Sequence, residues 1–396
     1  MSNYQIPSYW NKTKIGEICS FTTGKLNSEQ AVRGGKYPFF TCSKEIFAIN
    51  SYSFDQEAVL LAGNNAQGIY DVKYYKGKFD AYQRTYVISV NSPNELDYYF
   101  LLYSLTLQLD FLRNQSLGAT TKFLTATIIK NLEIPLPPLP EQRAIACALQ
   151  AVQRAKETRQ RELELERERK AALMDYLFTH GTRGESLKQT EIGEMPESWE
   201  ESKLGDTCNI TTGTTPATNK SEYYDGQIAF IKTSEIANKR IKESQVYINE
   251  KAVADYNLKI YPIGTVFVAM YGQGKTRGQS ALLEIPATTT QNTAAIVASN
   301  KLEPLYLWQW LLSQYNKLRE IGSQGHISHL NLSYVKSYKM ALPSLYEQKE
   351  IAEILYLCDI KTNSLEKEIS LLDELFQAML EELMTGQLSA IPLIED

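Results

Sequence analysis

Several features are scarce in this 396-residue chain, and each scarcity excludes a class of protein. No apolar run approaches the ~18 residues that a membrane-spanning helix needs. The opening Met1-Ser2-Asn3-Tyr4-Gln5-Ile6-Pro7 has neither the basic segment nor the apolar stretch of a secretory leader. Five cysteines, Cys19, Cys42, Cys147, Cys208 and Cys358, are scattered without a single CxxC pair. They form neither a disulfide framework nor a zinc cluster, so a reducing cytoplasm is the expected compartment. Histidine is rarer still, at three residues. His326-x-x-His329 lacks a cysteine or carboxylate at ligand spacing, which argues against zinc and for contact with DNA or solvent. His180 falls at an expected helix C-terminus, where a cation complements the dipole. A positive excess is missing as well: 41 Lys and Arg against 46 Asp and Glu give −5, which at face value disfavours nucleic acid. With 43% hydrophobic residues, what remains is an ordinary globular composition, long enough for two or three domains.

The charge average conceals its distribution. Residues 344–396 hold 3 basic and 12 acidic residues (−9), whereas 1–137 (13 and 11) and 196–343 (15 and 13) are each +2. The acidity belongs to one C-terminal segment, a docking target for a basic partner surface.

The chain also contains itself twice. Ile6-Pro7-Ser8-Tyr9-Trp10 returns as Met195-Pro196-Glu197-Ser198-Trp199, an offset of 189. Lys14-Ile15-Gly16-Glu17-Ile18-Cys19 becomes Lys203-Leu204-Gly205-Asp206-Thr207-Cys208, and Thr22-Thr23-Gly24 becomes Thr211-Thr212-Gly213. Further on, Ala58–Ala62 pairs with Thr265–Ala269 and Gln83-Arg84-Thr85 with Gln291-Asn292-Thr293, at offsets of 207 and 208. About 18 extra residues therefore lie between Gly213 and Val266, where the copies share little. They rejoin at Leu136-Pro137-Pro138-Leu139-Pro140-Glu141-Gln142 and Leu342-Pro343-Ser344-Leu345-Tyr346-Glu347-Gln348, offset 206, ahead of a long helical pattern.

That pattern is a 3.5-residue seam. It runs Ile145, Leu149, Val152, Lys156, Arg159, Leu163, Glu166, Lys170, Leu173, Leu177 and recurs in register as Ile351, Leu355, Cys358, Thr362, Leu365, Ile369, Leu372, Phe376, Met379, Leu383. Two seams in one chain predict one antiparallel pair of helices of about 40 residues, on the order of 60 Å each. Ser344-x-x-Glu347 reads as a capping box, Pro140 suits a first helical position, and Gly181 and Gly386 suit left-handed C-terminal positions. From Gly181 to Pro196 the pattern predicts a short polar loop. Lys156, Arg159, Glu166 and Lys170 place charge in the first seam opposite a largely apolar second one, so part of this surface is expected to face another protein or to be satisfied by partner residues.

Both halves read as α/β, with strands such as Tyr86–Val90 and Ala294–Val297 and one helical segment each, Leu96–Phe111 and Leu305–Ile321. Turn residues separate the runs, as expected where loops carry recognition on a rigid sheet. Cations and flat side chains cluster at Lys73, Tyr74, Tyr75, Lys76, Lys78, Tyr82, Gln83 and Arg84, and again at Lys275, Arg277, Gln291 and Asn292. Such groups suit DNA: Lys and Arg neutralise phosphates, Arg reads guanine edges, and Asn or Gln reads adenine edges. The candidate contacts are Lys73, Lys76, Lys78, Tyr82, Arg84, Lys122, Lys232, Gln273, Lys275, Arg277, His326 and His329.

Ala269-Met270-Tyr271-Gly272-Gln273-Gly274-Lys275-Thr276 fits a relaxed phosphate-loop pattern. Its context fails, because Arg277-Gly278-Gln279-Ser280 does not open an apolar-periodic helix and the first copy lacks the Lys-Thr. No GxSxG, dinucleotide fingerprint or isolated acid pair appears, so no catalytic constellation is visible.

Two divergent domains, each followed by a related long helix that a Pro-Leu-Pro-x-Glu-Gln-like segment introduces, resemble the specificity subunit of type I restriction-modification enzymes. The resemblance rests on Trp10 and Trp199 with Gly16 and Gly205, the Gln83 and Gln291 segments, Leu139-Pro140-Glu141-Gln142 and Leu345-Tyr346-Glu347-Gln348, and the paired helices; it covers essentially the whole chain. It implies an α/β fold with two pseudo-repeated target recognition domains, 1–139 and 196–343. It also implies two spacer helices, 140–181 and 344–386, a linker 182–195 and a tail 387–396. Each domain would read one half of a split, asymmetric double-stranded DNA target. Two methyltransferase subunits would dock on helices and domains, through seam positions among others, and restriction subunits would join them. S-adenosylmethionine, ATP and magnesium would belong to those partners, and this chain would catalyse nothing. A related bifunctional restriction system is a close alternative; a nucleotide hydrolase or a coiled-coil scaffold are more distant ones.

Overall fold

The computed structural model describes residues 6–272, 275–321 and 330–394. They form two compact units, one of Met1–Arg161 with Glu366–Asp396, the other of Glu162–Leu365. Each unit thus takes one copy of the repeat, the first part of the helix that follows it, and the end of the other long helix.

In the first unit a six-stranded sheet has the order Cys19–Thr23, Thr85–Val90, Phe54–Ala62, Val72–Ala81, Tyr37–Phe40, Phe47–Ile49. Its pairings are antiparallel except that of Tyr37–Phe40 with Val72–Ala81. Alternation along Phe54–Ala62 divides the core. Val59 and Leu61 face the helix Tyr98–Leu107 with Phe100 and Leu101, while Ala58 and Leu60 face Phe40, Phe79 and Val87. The expected single helix is in fact two, Tyr98–Leu107 and Leu109–Gln115, because the chain leaves helical geometry at Gln108. The second unit repeats this break at Gln314, between Pro304–Ser313 and Tyr315–Ile321.

The second unit has a five-stranded sheet in the order Cys208–Thr212, Thr293–Ala298, Val266–Ala269, Ser280–Leu283, Lys239–Ile241. The extra residues of this copy help build a separate three-stranded sheet, Tyr247–Ile248, Ile228–Ile231, Ala287–Thr289, and a helix, Glu250–Asp255. Tyr223, Phe230, Ile248, Ala252 and Leu258 form a small core of their own there. Strand Ser280–Leu283 begins four residues after Thr276, where a phosphate loop needs a helix.

The long helices are Leu139–His180 and Leu345–Met384, and Gly181 and Gly386 follow with φ of +65° and +73°. Their first seam residues belong to the domain cores. Ile145 and Leu149 are buried with Leu380 and Leu383 in the first unit, and Ile351 and Leu355 with Leu177 in the second. Within each unit the helix segments run antiparallel: Lys156 pairs with Asp373 and Arg159 with Glu368, and in the other unit Glu162 pairs with Lys361 and Lys170 with Asp359. The charged seam positions Lys156, Arg159 and Lys170 are therefore answered by carboxylates of the second helix, not left for another protein. Glu166 is held by Arg169 of its own helix. The expected polar loop after Gly181 contains a hairpin, Leu187–Thr190 with Gly193–Pro196. Lys188 Nζ donates to the carbonyls of Glu197 and Trp199 across its base.

Candidate nucleic-acid interface

The repeated Thr-Thr-Gly and Gln-x-Thr segments meet in each unit at one turn. In the first unit it is Tyr82-Gln83-Arg84-Thr85, closed by Thr85 N–H donating to Tyr82 O at 2.8 Å. Gly24 lies so close beneath that a Cβ there would sit 1.7 Å from Ala81 O. The following carbonyl, Arg84 O, accepts from Gly63 N–H at 2.8 Å, and Gly63 O accepts from Leu124 N–H at 2.8 Å. The second unit reproduces the frame at Thr290-Gln291-Asn292-Thr293. Thr293 N–H donates to Thr290 O at 3.3 Å, Asn292 O accepts from Met270 N–H at 3.0 Å, and Met270 O accepts from Leu330 N–H at 3.0 Å. A Cβ on Gly213 would stand 1.7 Å from Thr289 O. A backbone carbonyl cannot yield as a side chain can, so glycine is required at both positions.

The exposed glutamine of each turn is tethered from the loop after that glycine. The Gln83 amide bonds the Asn27 amide at 2.8 Å, and Thr215 Oγ1 bonds the Gln291 amide at 2.6 Å. Neither tether was foreseeable from sequence spacing, since the partners are 56 and 76 residues apart.

The candidate contacts divide on this frame. Lys73, Lys76 and Lys78 lie on a ten-residue strand, Val72–Ala81, and not in a loop. Lys73 is at the turn end, where its Nζ donates to Ser43 O and pairs with Asp71, while Cys42 Sγ donates to Arg84 O. Lys76 pairs with Glu57 at 3.0 Å, and Lys78 sits 4.6 Å above the Tyr52 ring, near which its pKa is raised, chiefly by the Tyr52 hydroxyl. Lys122 pairs in register with Asn65, beside the loop that carries Gly63. Tyr82 and Arg84 are in the turn itself.

In the second unit Lys232 is exposed and precedes Thr233, whose hydroxyl meets that of Thr290 at 3.3 Å. Lys232, Thr215, Tyr224, Tyr247 and Thr290 line an open cavity of about 800 Å³. Lys275 is exposed, and Arg277 donates to Arg319 O at 3.1 Å. Gln273, His326 and His329 lie outside the described residues.

The repeated Glu-Gln pairs fix each domain to its helix. Trp10 Nε1 donates to Glu141 at 3.1 Å and Trp199 Nε1 to Glu347 at 3.0 Å. Glu347 also accepts from Thr182 N–H at 2.9 Å, so only half of the expected capping box forms: Ser344 Oγ accepts from Glu347 N–H at 3.3 Å while the carboxylate turns to Trp199. Gln142 accepts from Asp97 N–H and donates to Glu95 O and Pro137 O. Gln348 does the same with Glu303, Lys301 and Pro343. Beside these joints lie two clefts at equivalent positions of the repeat. One, of about 500 Å³, is lined by Gln108, Glu133 and Glu381; the other, of about 770 Å³, by Gln314, Lys339 and Asp175. Among the described residues no helix is long and apolar enough to cross a membrane.

A family model for the type I restriction modification DNA specificity domain matches the chain twice, over residues 7–167 and 196–373. The chain belongs to this family. The two matches coincide with the two copies of the repeat. Its relatives include the specificity subunit of the type I restriction enzyme EcoDI from Escherichia coli, 25% identical over 98% of this chain and 91% of the relative. The MjaVIII specificity subunit from Methanocaldococcus jannaschii is 25% identical over 98% and 95%. In fold the chain is similar to the crystal structure of the type I restriction-modification S subunit from M. genitalium, with a TM-score of 0.67 at 18% identity over 97% of this chain and 98% of that one.

Proposed function

We propose that this chain is the sequence reader of a type I restriction-modification complex, each domain reading one half of a bipartite, asymmetric DNA target. The observation that carries this is the pair of turns. The same backbone frame recurs in both units, yet the side chains it displays have diverged, as two readers of different half-sites require. The long helices set the spacer between half-sites and, with the domains, dock methyltransferase subunits. The two equivalent clefts beside the Glu-Gln joints support a partner present in two copies. S-adenosylmethionine, ATP and magnesium belong to the methyltransferase and restriction subunits, and the chain itself catalyses nothing. The specificity module of a related bifunctional system would share this architecture and differ only in its methyltransferase partner.

The test is co-expression with the neighbouring methyltransferase in a host free of its own adenine methylation, followed by mapping of modified adenines. A split methylated motif that depends on this chain is expected; methylation without the chain, or none with an active methyltransferase, would overturn the reading. Four residues inserted into both helices should lengthen the spacer and leave both half-sites unchanged.

A further inference from the structure

What two domains share cannot tell two sequences apart, so discrimination has to lie in what differs on the shared frame. In the two recognition turns the glycine beneath, the tethered glutamine and the following threonine are common to both copies. The residue between glutamine and threonine is not: it is Arg84 in one turn and Asn292 in the other. Their backbones are held alike, each carbonyl accepting from the residue that follows the strand Phe54–Ala62 or Val266–Ala269, and each next residue entering the sheet opposite Ala62 or Ala269. Arg84 is exposed and Asn292 half-buried, and among the described residues neither side chain hydrogen-bonds to the protein. Lys73, by contrast, is spent on Ser43 O and Asp71, and the glutamines on Asn27 and Thr215.

Resting on the recognition role set out above, we propose that this position determines one base of each half-site: Arg84 reads a guanine, and Asn292 reads an adenine at the corresponding place. The chemistry follows from shape. The guanidinium fork matches the O6 and N7 acceptors of guanine, and the carboxamide, with one donor and one acceptor, matches N6–H and N7 of adenine. A turn held at both ends by backbone hydrogen bonds fixes the place from which either side chain extends.

The experiment uses the full chain co-expressed with its methyltransferase, with methylated motifs mapped for wild type, Arg84→Asn, Asn292→Arg and Arg84→Lys. Arg84→Asn is expected to shift one position of one half-site from guanine towards adenine by about tenfold or more in preference. The other half-site and the spacer should stay as they were. Asn292→Arg is expected to do the converse in the other half-site. Both half-sites unaltered would overturn the proposal. So would methylation weakened evenly at every position and restored by Arg84→Lys, which would make Arg84 a phosphate contact. If Arg84→Asn methylates nothing, binding of the purified complex to duplexes varied one base at a time decides. Indifference at a single position supports the assignment, and even loss everywhere overturns it. A wild-type chain that directs no split motif would instead refute the recognition role itself.

Discussion

At the scale of single residues, the two buried carboxylates Glu141 and Glu347 show how a short repeated motif holds a domain on a helix. Glu347 is 2% exposed and takes the Trp199 indole N–H, the Thr182 amide and the Thr182 hydroxyl. Glu347→Ala would strand the buried Trp199 N–H away from water and release the amide of exposed Thr182, a loss of about 1–3 kcal/mol, whereas Glu347→Gln keeps one carbonyl acceptor and should lose about half of that. Glu141→Ala should be milder, because one of its donors is the hydroxyl of half-exposed Tyr9, which can turn to water. Urea unfolding followed by tryptophan fluorescence ranks the three; equal losses for Glu347→Ala and Glu141→Ala would show that the Thr182 bonds contribute nothing.

At the scale of elements, the helix pair carries ion pairs of two kinds. Lys170 and Asp359 are only 16% and 22% exposed, and Asp359 also accepts from Gln309 Nε2 at 2.6 Å. Arg159 and Glu368 are 43% and 45% exposed. Asp359→Ala leaves a partly buried ammonium and a buried amide without their acceptor and should cost about 2–3 kcal/mol. Glu368→Ala should cost no more than about 0.5 kcal/mol, vanishing at about 1 M salt while the Asp359→Ala loss persists. Denaturation midpoints at low and high salt test both. These helices were legible in the sequence because a 3.5-residue apolar period sustained over forty residues has few other solutions. Their ion pairs were not, because Asp359, Glu368 and Asp373 lie off the seam and only the packed geometry turns them towards Lys170, Arg159 and Lys156. The breaks at Gln108 and Gln314 are hidden in the sequence for the opposite reason: the apolar pattern continues through them. The hairpin Leu187–Thr190 with Gly193–Pro196 is too short and too polar to alternate visibly. Of the interface, the repeat pointed to the Gln83 and Gln291 turns, while their tethers, made by residues distant in sequence, needed the fold.

At the scale of the whole molecule, the repeat and the compact units are cut differently along the chain. The second unit is one continuous stretch, Glu162–Leu365, whereas the first needs Glu366–Asp396 to complete Met1–Arg161. Leu380, Leu383, Met384 and Ala390 are all but fully buried in the first unit's core beside Trp10, Ile145 and Leu149. Removing four such side chains uncovers apolar surface worth about 1.5–3 kcal/mol for each large one, comparable with the whole stability of a domain. A fragment of residues 162–365 should therefore unfold cooperatively on its own, while a fragment of 1–161 should unfold without a sharp transition and bind apolar dyes. Adding 366–396 as a separate peptide should restore its cooperative transition, because the peptide supplies the missing wall of that core and pays only the entropy of association. Thermal unfolding by circular dichroism distinguishes the cases. A cooperative 1–161 fragment indifferent to the peptide would mean that the core closes without the C-terminal helix. The exchange of helix ends, in which each domain is sealed by the end of the other domain's helix, would then be dispensable to folding and maintained for another reason.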